Sequence, residues 1–340
     1  MVFQRDISIR GVAEVRSATQ LGRGGYGTVY SGLQEGTVVK RAHQRRYGNF
    51  LRELLLLSYL GPHPQVICLK DYHLEHASLV LERWSMDLWH ILIENRGTQS
   101  ERLQVLHDIL RGLAHLHSKG VVHADLKSSN VVVKVEQVGN AHESGTPSSR
   151  VRACLIDYGL AGPSSYATVE CTTLPYRETN PKSSWHHDIY SAGLVGLEMF
   201  GGITWVTQPT HSAALKVVSR VSSVALRMVL QGMLVENRNE RLSAAEVLAV
   251  LTCEVVEPPS EGTLQPNREL EATATIARVL HLYQRGQFQH LVPEDRSEVE
   301  DVVISLAESL YYGKTAQLEI RHQRVMDSIL SQCPELFLPR

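Results

Sequence analysis

The stretch VVHADLKSSNVVV, from Val121 to Val133, decides the fold of this chain. Its two runs of β-branched residues flank a polar loop, which predicts two buried strands joined by that loop. The loop contains Asp125, Lys127 and Asn130. A carboxylate can accept a hydroxyl proton, a cation can neutralise developing charge and an amide oxygen can bind Mg²⁺. The loop therefore suits chemistry on phosphate, held rigidly at both ends while its middle reaches a substrate.

The composition is that of an ordinary globular protein. With 340 residues, the chain is long enough for two or three structural units at roughly 100–200 residues each. An apolar content of 43% and a charged content of 21% are unexceptional. The formal net charge of −2 provides no electrostatic reason to expect a nucleic acid or an anionic membrane as partner.

Secretion and membrane insertion are not expected from the sequence. The N-terminal residues MVFQRDISIR are interrupted by charge, unlike a secretory signal. The apolar stretch 193–206 contains Glu198 and is too short to span a bilayer, so it predicts a buried helix. The 5 cysteines are scattered without a C-x-x-C pair, which favours reduced thiols. These features predict an intracellular protein of the cytoplasm or nucleus.

A glycine-rich segment precedes a predicted hairpin near the N-terminus. LGRGGYGTVY, residues 21–30, contains G-x-G-x-x-G, and such glycines let a backbone approach an anion closely. A dinucleotide-binding fold would require a helix next and an acidic residue about 20 positions on. Here β-branched residues follow, then a turn at 34–36 and the run TVVK ending at Lys40. The pattern predicts a hairpin and disfavours the dinucleotide-binding fold.

Lys40 and Glu53 are predicted to pair. Lys40 closes an apolar strand, and Glu53 interrupts the leucines of the predicted helix NFLRELLLL. A buried charge is costly unless it has a partner of opposite sign. Each of the two residues is therefore the natural partner of the other.

These motifs together resemble the eukaryotic protein-kinase superfamily over about residues 16–252. HADLKSSN resembles the H-R-D-L-x-x-x-N catalytic loop, with Ala124 in place of arginine. The glycine-rich segment resembles the loop that covers nucleotide phosphates, and Asp157-Tyr158-Gly159 resembles D-F-G. The segment 172–177 resembles the T-x-x-Y-R segment that shapes the groove for a protein substrate. On these motifs the chain is identified as a divergent Ser/Thr protein kinase.

The resemblance implies an α+β bilobal fold with a small β-rich N-lobe and a large helical C-lobe. The expected kinase domain covers residues 16–254, with the N-lobe at about 16–82, the C-lobe at about 85–254 and a polar hairpin insertion at 136–150. Residues 1–15 form an N-terminal segment, and 255–340 a helical C-terminal extension. Apolar stripes in this extension leave two readings open: a helical cap on the large lobe or a module that docks a regulatory partner.

The resemblance also assigns roles. Asp125 would orient the substrate hydroxyl and accept its proton, Lys127 would steady the transferred phosphoryl group, and Lys40 paired with Glu53 would hold phosphates. Asn130 and Asp157 would bind Mg²⁺. The residues expected to contact ATP are Gly22, Arg23, Gly24, Gly25, Tyr26, Gly27, Val29, Lys40, Leu81, Glu82, Trp84, Asn130, Val132 and Asp157. Leu81 would stand beside the adenine, and Asp87 would either meet the ribose or cap the next helix. The implied partners are proteins with Ser/Thr acceptors.

The family pattern falters after the T-x-x-Y-R segment. Where A-P-E is expected, the chain has Glu178-Thr179-Asn180. The family's glutamate there pairs with an arginine, and Arg241 fits that arginine. With Asn180 opposite Arg241, the expected contact is at best a charge–amide hydrogen bond, which would weaken the activation segment. Further on, Asp188 is expected to bond the backbone of the catalytic loop.

Two alternative functions remain open at this stage. A pseudokinase that binds nucleotide as a scaffold or regulator is favoured by Ala124 and the altered A-P-E segment. Retention of Lys40, Asp125, Asn130 and Asp157 disfavours it. A small-molecule phosphotransferase of related fold is disfavoured by the T-x-x-Y-R segment, which builds a peptide groove.

The alanine at position 124 leads to a first prediction. In the family, the arginine at this position binds a phosphate on the activation loop. With Ala124 there, activity is expected not to require activation-loop phosphorylation through that contact. Phosphate transfer measured after phosphatase treatment of the purified protein checks this, and complete loss of activity would contradict it.

Overall fold

A computed structural model describes residues 19–43, 46–138, 148–163, 173, 175–178, 184–203 and 209–252. The predicted N-terminal segment 1–15 and C-terminal extension 255–340 lie outside the described residues. The described chain forms a small β-rich lobe followed by a larger helical lobe, so the bilobal α+β fold is confirmed.

The small lobe is built on an antiparallel sheet of five strands. These are β1 (Gln20–Arg23), β2 (Gly27–Ser31), β3 (Thr37–Ala42), β4 (Leu69–His73) and β5 (Ser78–Glu82), in the spatial order β1-β2-β3-β5-β4. The turn between β2 and β3 contains Gly36 at φ 76°, a conformation that glycine adopts without a steric penalty. The hairpin predicted after the glycine-rich segment is therefore present, and no helix follows β2.

Helix α1 (Tyr47–Leu60) lies between the sheet and the large lobe. Its leucines at positions 51, 54, 55, 56, 57 and 60 are all buried. A helix that is apolar on nearly every side needs neighbours on nearly every side. The helix therefore packs into the core between the lobes and carries Glu53 there.

The apolar run at residues 66–69 predicts a strand, but the structure places the strand later in the chain. Strand β4 begins only at Leu69. Val66 instead forms an isolated parallel bridge with Leu155, and the amide of Ile67 donates to the Leu155 carbonyl at 3.1 Å. Val66 and Ile67 therefore pair with the large lobe, and only Leu69 of this run belongs to the small sheet.

The large lobe contains the remaining described helices. They are α2 (Leu88–Ile93), α3 (Gln99–Ser118), α4 (Trp185–Gly201), α5 (His211–Val218), α6 (Val224–Met233) and α7 (Ala244–Thr252). Helix α3 begins at a capping box formed by Thr98 and Glu101. Of its leucines at helical spacing, those at 106, 110, 113 and 116 are buried, whereas Leu103 is exposed. The leucine spacing predicts a helix over residues 100–119, and the structure places it one residue earlier at each end.

The apolar pattern predicts a helical run from residue 222 to residue 251, but in the structure this run is interrupted. Helix α6 ends at Met233, a single 3₁₀ turn spans Arg238–Glu240, and α7 begins at Ala244. The side chain of Asn237 accepts from the amide of Asn239 and caps the short turn, as Asn residues favour turns over helix interiors. Arg241 consequently lies in extended backbone between the two helices.

Two small sheets position the loop after α3. Strand β6 (Met86–Asp87) pairs with β8 (Val131–Val138), which pairs with β9 (Ser148–Leu155), and β7 (Val121–Val122) pairs with β10 (Gly162–Pro163). The polar loop from 123 to 130 is thus held by strands at both ends, as predicted, but its strands belong to different sheets. The expected insertion 136–150 is a hairpin whose ladder reaches Val138 and Ser148, and residues 139–147 lie outside the described chain.

Among the described residues, no helix is long and apolar enough to cross a membrane. The apolar stretch that begins at Gly193 belongs to α4, which ends at Gly201 and is buried along most of its length. Of the cysteines, Cys68 and Cys154 are described and both are free thiols. Burial raises the pKa of the Cys154 thiol well above its usual value, which keeps it protonated.

Replacing Gly112 on α3 with alanine is expected to destabilise the fold. Alanine normally favours a helix over glycine by about 1 kcal/mol, but a Cβ here would lie 2.8 Å from Leu155 Cδ1 and 3.0 Å from the Gln65 carbonyl oxygen. Overpacking of this kind costs about 1–3 kcal/mol. Chemical denaturation of both proteins checks the sign, and a more stable Gly112→Ala protein would contradict the packing of α3 against β9.

Candidate active site

A cavity of about 510 Å³ lies between the lobes, within the roughly 300–1,000 Å³ typical of small-molecule sites. Its lining includes the residues predicted to contact ATP, apart from Arg23, whose side chain is exposed on β1. Asp87, expected either to meet the ribose or to cap the next helix, lines the cavity and also caps α2 by accepting from the amide of His90 at 3.0 Å. Further lining residues that were not predicted are Leu21, Val38, Ile67, Ser85, Met86, His90, Ser129 and Ile156. Val38 could have been found from sequence, because it precedes Lys40 by two positions on one strand and shares its face.

Lys40, Glu53 and Asp157 meet at the inner wall of the cavity. Lys40 Nζ donates to Glu53 Oε1 at 2.9 Å and Oε2 at 2.7 Å, and to Asp157 Oδ1 at 2.8 Å. Burial opposes the charge on Lys40, but the two carboxylates outweigh this effect and raise its pKa. Burial likewise opposes the charge on Asp157, yet Lys40 lowers its pKa below the usual value. Both groups are therefore charged at neutral pH.

The catalytic-loop carboxylate Asp125 is held from several sides. Lys127 Nζ lies 2.7 Å from Asp125 Oδ2, and the amide of Thr173 donates to Asp125 Oδ1 at 2.9 Å. Lys127 also donates to Thr173 Oγ1 at 2.6 Å. The side-chain nitrogen Nδ2 of Asn130 donates to the backbone carbonyl of Asp125 at 2.8 Å. Thr173, in the segment that resembles T-x-x-Y-R, thus contacts both Asp125 and Lys127, as that resemblance implies.

The backbone of the loop is fixed by Asp188 on α4. This carboxylate accepts from the amides of His123 at 2.8 Å and Ala124 at 2.9 Å, and from His117 Nε2 at 2.9 Å. Burial opposes its charge, but the hydrogen bond from His117 lowers the pKa of Asp188 below its usual value. The predicted contact of Asp188 with the loop backbone is thus confirmed.

Two non-glycine residues of the site have left-handed backbone. Ala124 has φ 63° and Asp157 has φ 67°. Such conformations cost of order 1–3 kcal/mol each and persist only where the surroundings hold them. Asp188 supplies that restraint for Ala124, and the ion pair with Lys40 supplies it for Asp157. The strain directs the side chain of Asp157 into the cavity.

Helix α1 also holds the segment that follows Asp157. Asn49 Nδ2 donates to the Gly159 carbonyl at 3.1 Å, and Arg52 Nη1 donates to the same oxygen at 3.4 Å. The ring of Tyr158 is fully buried beside His123, with 5.2 Å between the ring centroids. The position of α1 therefore sets both Glu53 and the Asp157-Tyr158-Gly159 turn.

The expectation that Arg241 has at best a charge–amide hydrogen bond in this segment is wrong. Arg241 Nη1 donates to Glu178 Oε2 at 3.1 Å, and Arg238 Nη2 lies 3.0 Å from Glu178 Oε1. His187 Nδ1 is 3.6 Å from the same carboxylate, and Asn180 lies outside the described residues. Burial opposes the charge on Glu178, but His187, Arg241 and Arg238 lower its pKa. The carboxylate partner of Arg241 therefore stands two residues before the position that the motif spacing predicts, and the buried ion pair is intact.

Replacing Glu178 with glutamine is expected to destabilise the large lobe by about 2 kcal/mol, because the buried Arg241, 4% exposed, would lose its counter-charge. The loss is measured as the change in the free energy of unfolding. Glu236→Gln, on the exposed surface nearby, serves as the matched control and is expected to be neutral. Equal stabilities for the two variants would show that Glu178 does not neutralise Arg241.

Comparisons with known proteins identify the domain. Residues 15–251 match the family model described as "Protein kinase domain". The chain is 28% identical over 205 residues to the serine/threonine-protein kinase MST20 of Pyricularia oryzae, covering 55% of this chain and 21% of that protein. It is 35% identical over 161 residues to the mitogen-activated protein kinase HOG1 of Candida glabrata, covering 44% and 32%.

A third relative, a probable inactive receptor kinase of Arabidopsis thaliana, is 28% identical over 230 residues, covering 61% of this chain and 34% of that protein. The chain thus spans about a third or less of the length of these three relatives. The family model, however, covers well over half of the chain, including both lobes and every residue of the cavity described above. The chain belongs to the eukaryotic-type protein kinase superfamily.

Proposed function

We propose that this chain is an ATP- and Mg²⁺-dependent protein kinase that phosphorylates serine and threonine hydroxyls on protein substrates. The single observation that carries the proposal is the held carboxylate of Asp125. Its oxygens accept from Lys127 Nζ, from the amide of Thr173 and from Asn130 Nδ2. The last residues of the same loop, Ser129 and Asn130, line the cavity. A fixed acceptor next to a nucleotide-sized cavity suits phosphoryl transfer, which depends mostly on alignment and charge neutralisation.

The side chains present fit a magnesium ion. Asn130 and Asp157 both line the cavity, and carboxamide and carboxylate oxygens are ligands that Mg²⁺ accepts. The lowered pKa of Asp157 keeps its carboxylate ionised. When bound, Mg²⁺ would screen the negative charge of the phosphates. Lys40, oriented by Glu53, would bind phosphate oxygens beneath the glycine-rich loop.

In the proposed reaction, Asp125 orients the substrate hydroxyl and accepts its proton. Lys127, which contacts both Asp125 and Thr173, neutralises charge on the transferred phosphoryl group. The position of Thr173 against these residues resembles that in Ser/Thr rather than Tyr kinases, which supports Ser/Thr acceptors. A regulatory partner bound through residues 255–340 is proposed on the apolar stripes of that segment alone.

A nucleotide-binding pseudokinase is the second candidate. Ala124 favours it, and one relative is named as probably inactive. The altered A-P-E segment does not support the pseudokinase, because the ion pair between Glu178 and Arg241 is present. The charged cluster of Lys40, Glu53 and Asp157 is complete, which favours the enzyme.

Replacing Asp125 with asparagine separates the two candidates. The amide cannot accept the hydroxyl proton, so transfer of radiolabelled phosphate from ATP to a generic basic protein is expected to fall by about 100-fold or more, with ATP binding retained. Asp71→Asn, on the exposed face of β4, is the matched control and should transfer phosphate normally. Undiminished transfer by Asp125→Asn would contradict the assigned role, whereas ATP binding without transfer by the unaltered protein would favour the pseudokinase.

A further inference from the structure

The outer wall of the cavity is made by the segment that connects the lobes. Glu82, at the end of β5, and Trp84 both line the cavity. The backbone of this segment is fixed as far as Arg83: the amide of Glu82 donates to the Cys68 carbonyl at 3.1 Å and that of Arg83 to the Gly36 carbonyl at 2.8 Å. Trp84 must be held by other means.

Packing rather than hydrogen bonding holds the indole of Trp84. Its Nε1 atom is buried and finds no hydrogen-bond partner among the described residues. An unsatisfied buried donor costs free energy, so the ring is retained in place by contacts strong enough to offset that cost. One such contact is the ammonium group of Lys134, which lies 4.4 Å from the centre of the indole ring, in the range of a cation–π interaction.

Lys134 reaches the connecting segment from strand β8. Side chains alternate along a strand, so Val132 and Lys134 share one face while Val131 and Val133 point into the core. Val132 lines the cavity, and Lys134 follows two residues later on the same face of the strand. Lys134 Nζ bonds Glu82 Oε1 at 3.1 Å. One ammonium group therefore contacts two cavity-lining side chains of the connecting segment, Glu82 and Trp84.

Lys134 is itself held by a chain of alternating charges. Its Nζ atom lies 3.0 Å from Glu136 Oε1, and Arg152 Nη1 lies 3.4 Å from Glu136 Oε2. Arg152 in turn approaches Asp108, a fully buried carboxylate on α3 that also accepts from the amide of Ala153 at 2.8 Å. Burial opposes the charge on Lys134, but its hydrogen bonds to Glu136 and Glu82 raise its pKa. The group stays charged and anchored to the large lobe.

We propose that Lys134 is a positioning residue for the nucleotide: it does not line the cavity, but it fixes Glu82 and Trp84 in the orientation that binds ATP. The inference rests on the proposed ATP-binding function. Because Lys134 acts on the wall of the cavity and not on Asp125, its loss should weaken ATP binding and leave the rate of phosphate transfer at saturating ATP unchanged.

The test compares Lys134→Met, which keeps the length of the side chain but removes its charge, with Lys134→Arg, which keeps the charge. Calorimetric titration with Mg²⁺-ATP is expected to show binding about fivefold weaker for Lys134→Met and near normal for Lys134→Arg, as a partly exposed cation–π contact and ion pair together contribute modestly. The KM for ATP should rise by the same factor, with kcat within about twofold of normal.

Glu136→Gln is the matched control for a general effect on the hairpin. It removes the other ionic partner of Lys134 but leaves Glu82 and Trp84 in contact with it, so ATP binding should change by less than about twofold. Weakening as large as that of Lys134→Met would overturn the inference. Glu82→Gln removes the same ion pair from the other side, so the double variant should lose less ATP affinity than the sum of the losses of the two single variants. Additive losses would also overturn it.

ATP binding by the unaltered protein distinguishes a failure of the proposed function from a failure of the positioning role of Lys134. If it binds no ATP, both the proposed function and the positioning role are wrong. If it binds ATP and Lys134→Met binds ATP as tightly, only the positioning role is wrong.

Discussion

The ion cluster of Lys40, Glu53 and Asp157 is the contact on which the rest of the site depends. It joins a strand of the small sheet, the helix α1 and the start of the segment after β9, with Lys40 and Asp157 separated by 117 positions in the chain. Desolvation disfavours all three charges. Both carboxylates stabilise the ammonium of Lys40, and Lys40 in turn stabilises each carboxylate against burial and against the repulsion of the other. A shift of α1 would leave buried charge unpaired. Because unpaired buried charge is costly, the geometry of the cavity depends on the packing of the lobes.

A second constraint acts from the large lobe. Asp188 holds the backbone amides of His123 and Ala124, and so maintains the left-handed conformation of Ala124 immediately before Asp125. The buried pair of Glu178 and Arg241 anchors the chain just after the groove segment to the loop that precedes α7. Both contacts place a rigid support behind residues proposed to act on substrate, which is what precise alignment in catalysis requires.

The loss of arginine at position 124 has a structural counterpart. Ala124 is fully buried in a small apolar group with Val122 and Leu160, against which Tyr26 of the glycine-rich loop packs. An apolar contact thus occupies the region where other members of the family have an arginine that binds a phosphate. This arrangement agrees with the independence from activation-loop phosphorylation expected from the sequence.

Much of the fold and of the candidate site could be predicted because its signals are local. Alternating and helical apolar patterns determined the small sheet, α1 and α3, and the cost of a buried charge was enough to pair Lys40 with Glu53. The errors arose where no local signal exists. The run 66–69 is apolar enough for a strand, but its partner Leu155 belongs to the other lobe. The break in the run 222–251 depends on a turn that the apolar pattern conceals.

By itself the sequence determined which residue types stand in the catalytic loop, the glycine-rich loop and the Asp157 turn, and in what order, since order and spacing are properties of the chain. Only the tertiary structure decided that Arg241 meets Glu178, that Asp157 adopts its strained backbone, and that Lys134 lies over Trp84. Those contacts join segments far apart in the chain. The path of the backbone and the need to neutralise buried charge decide which residues meet. Neither can be predicted from a single stretch of the sequence.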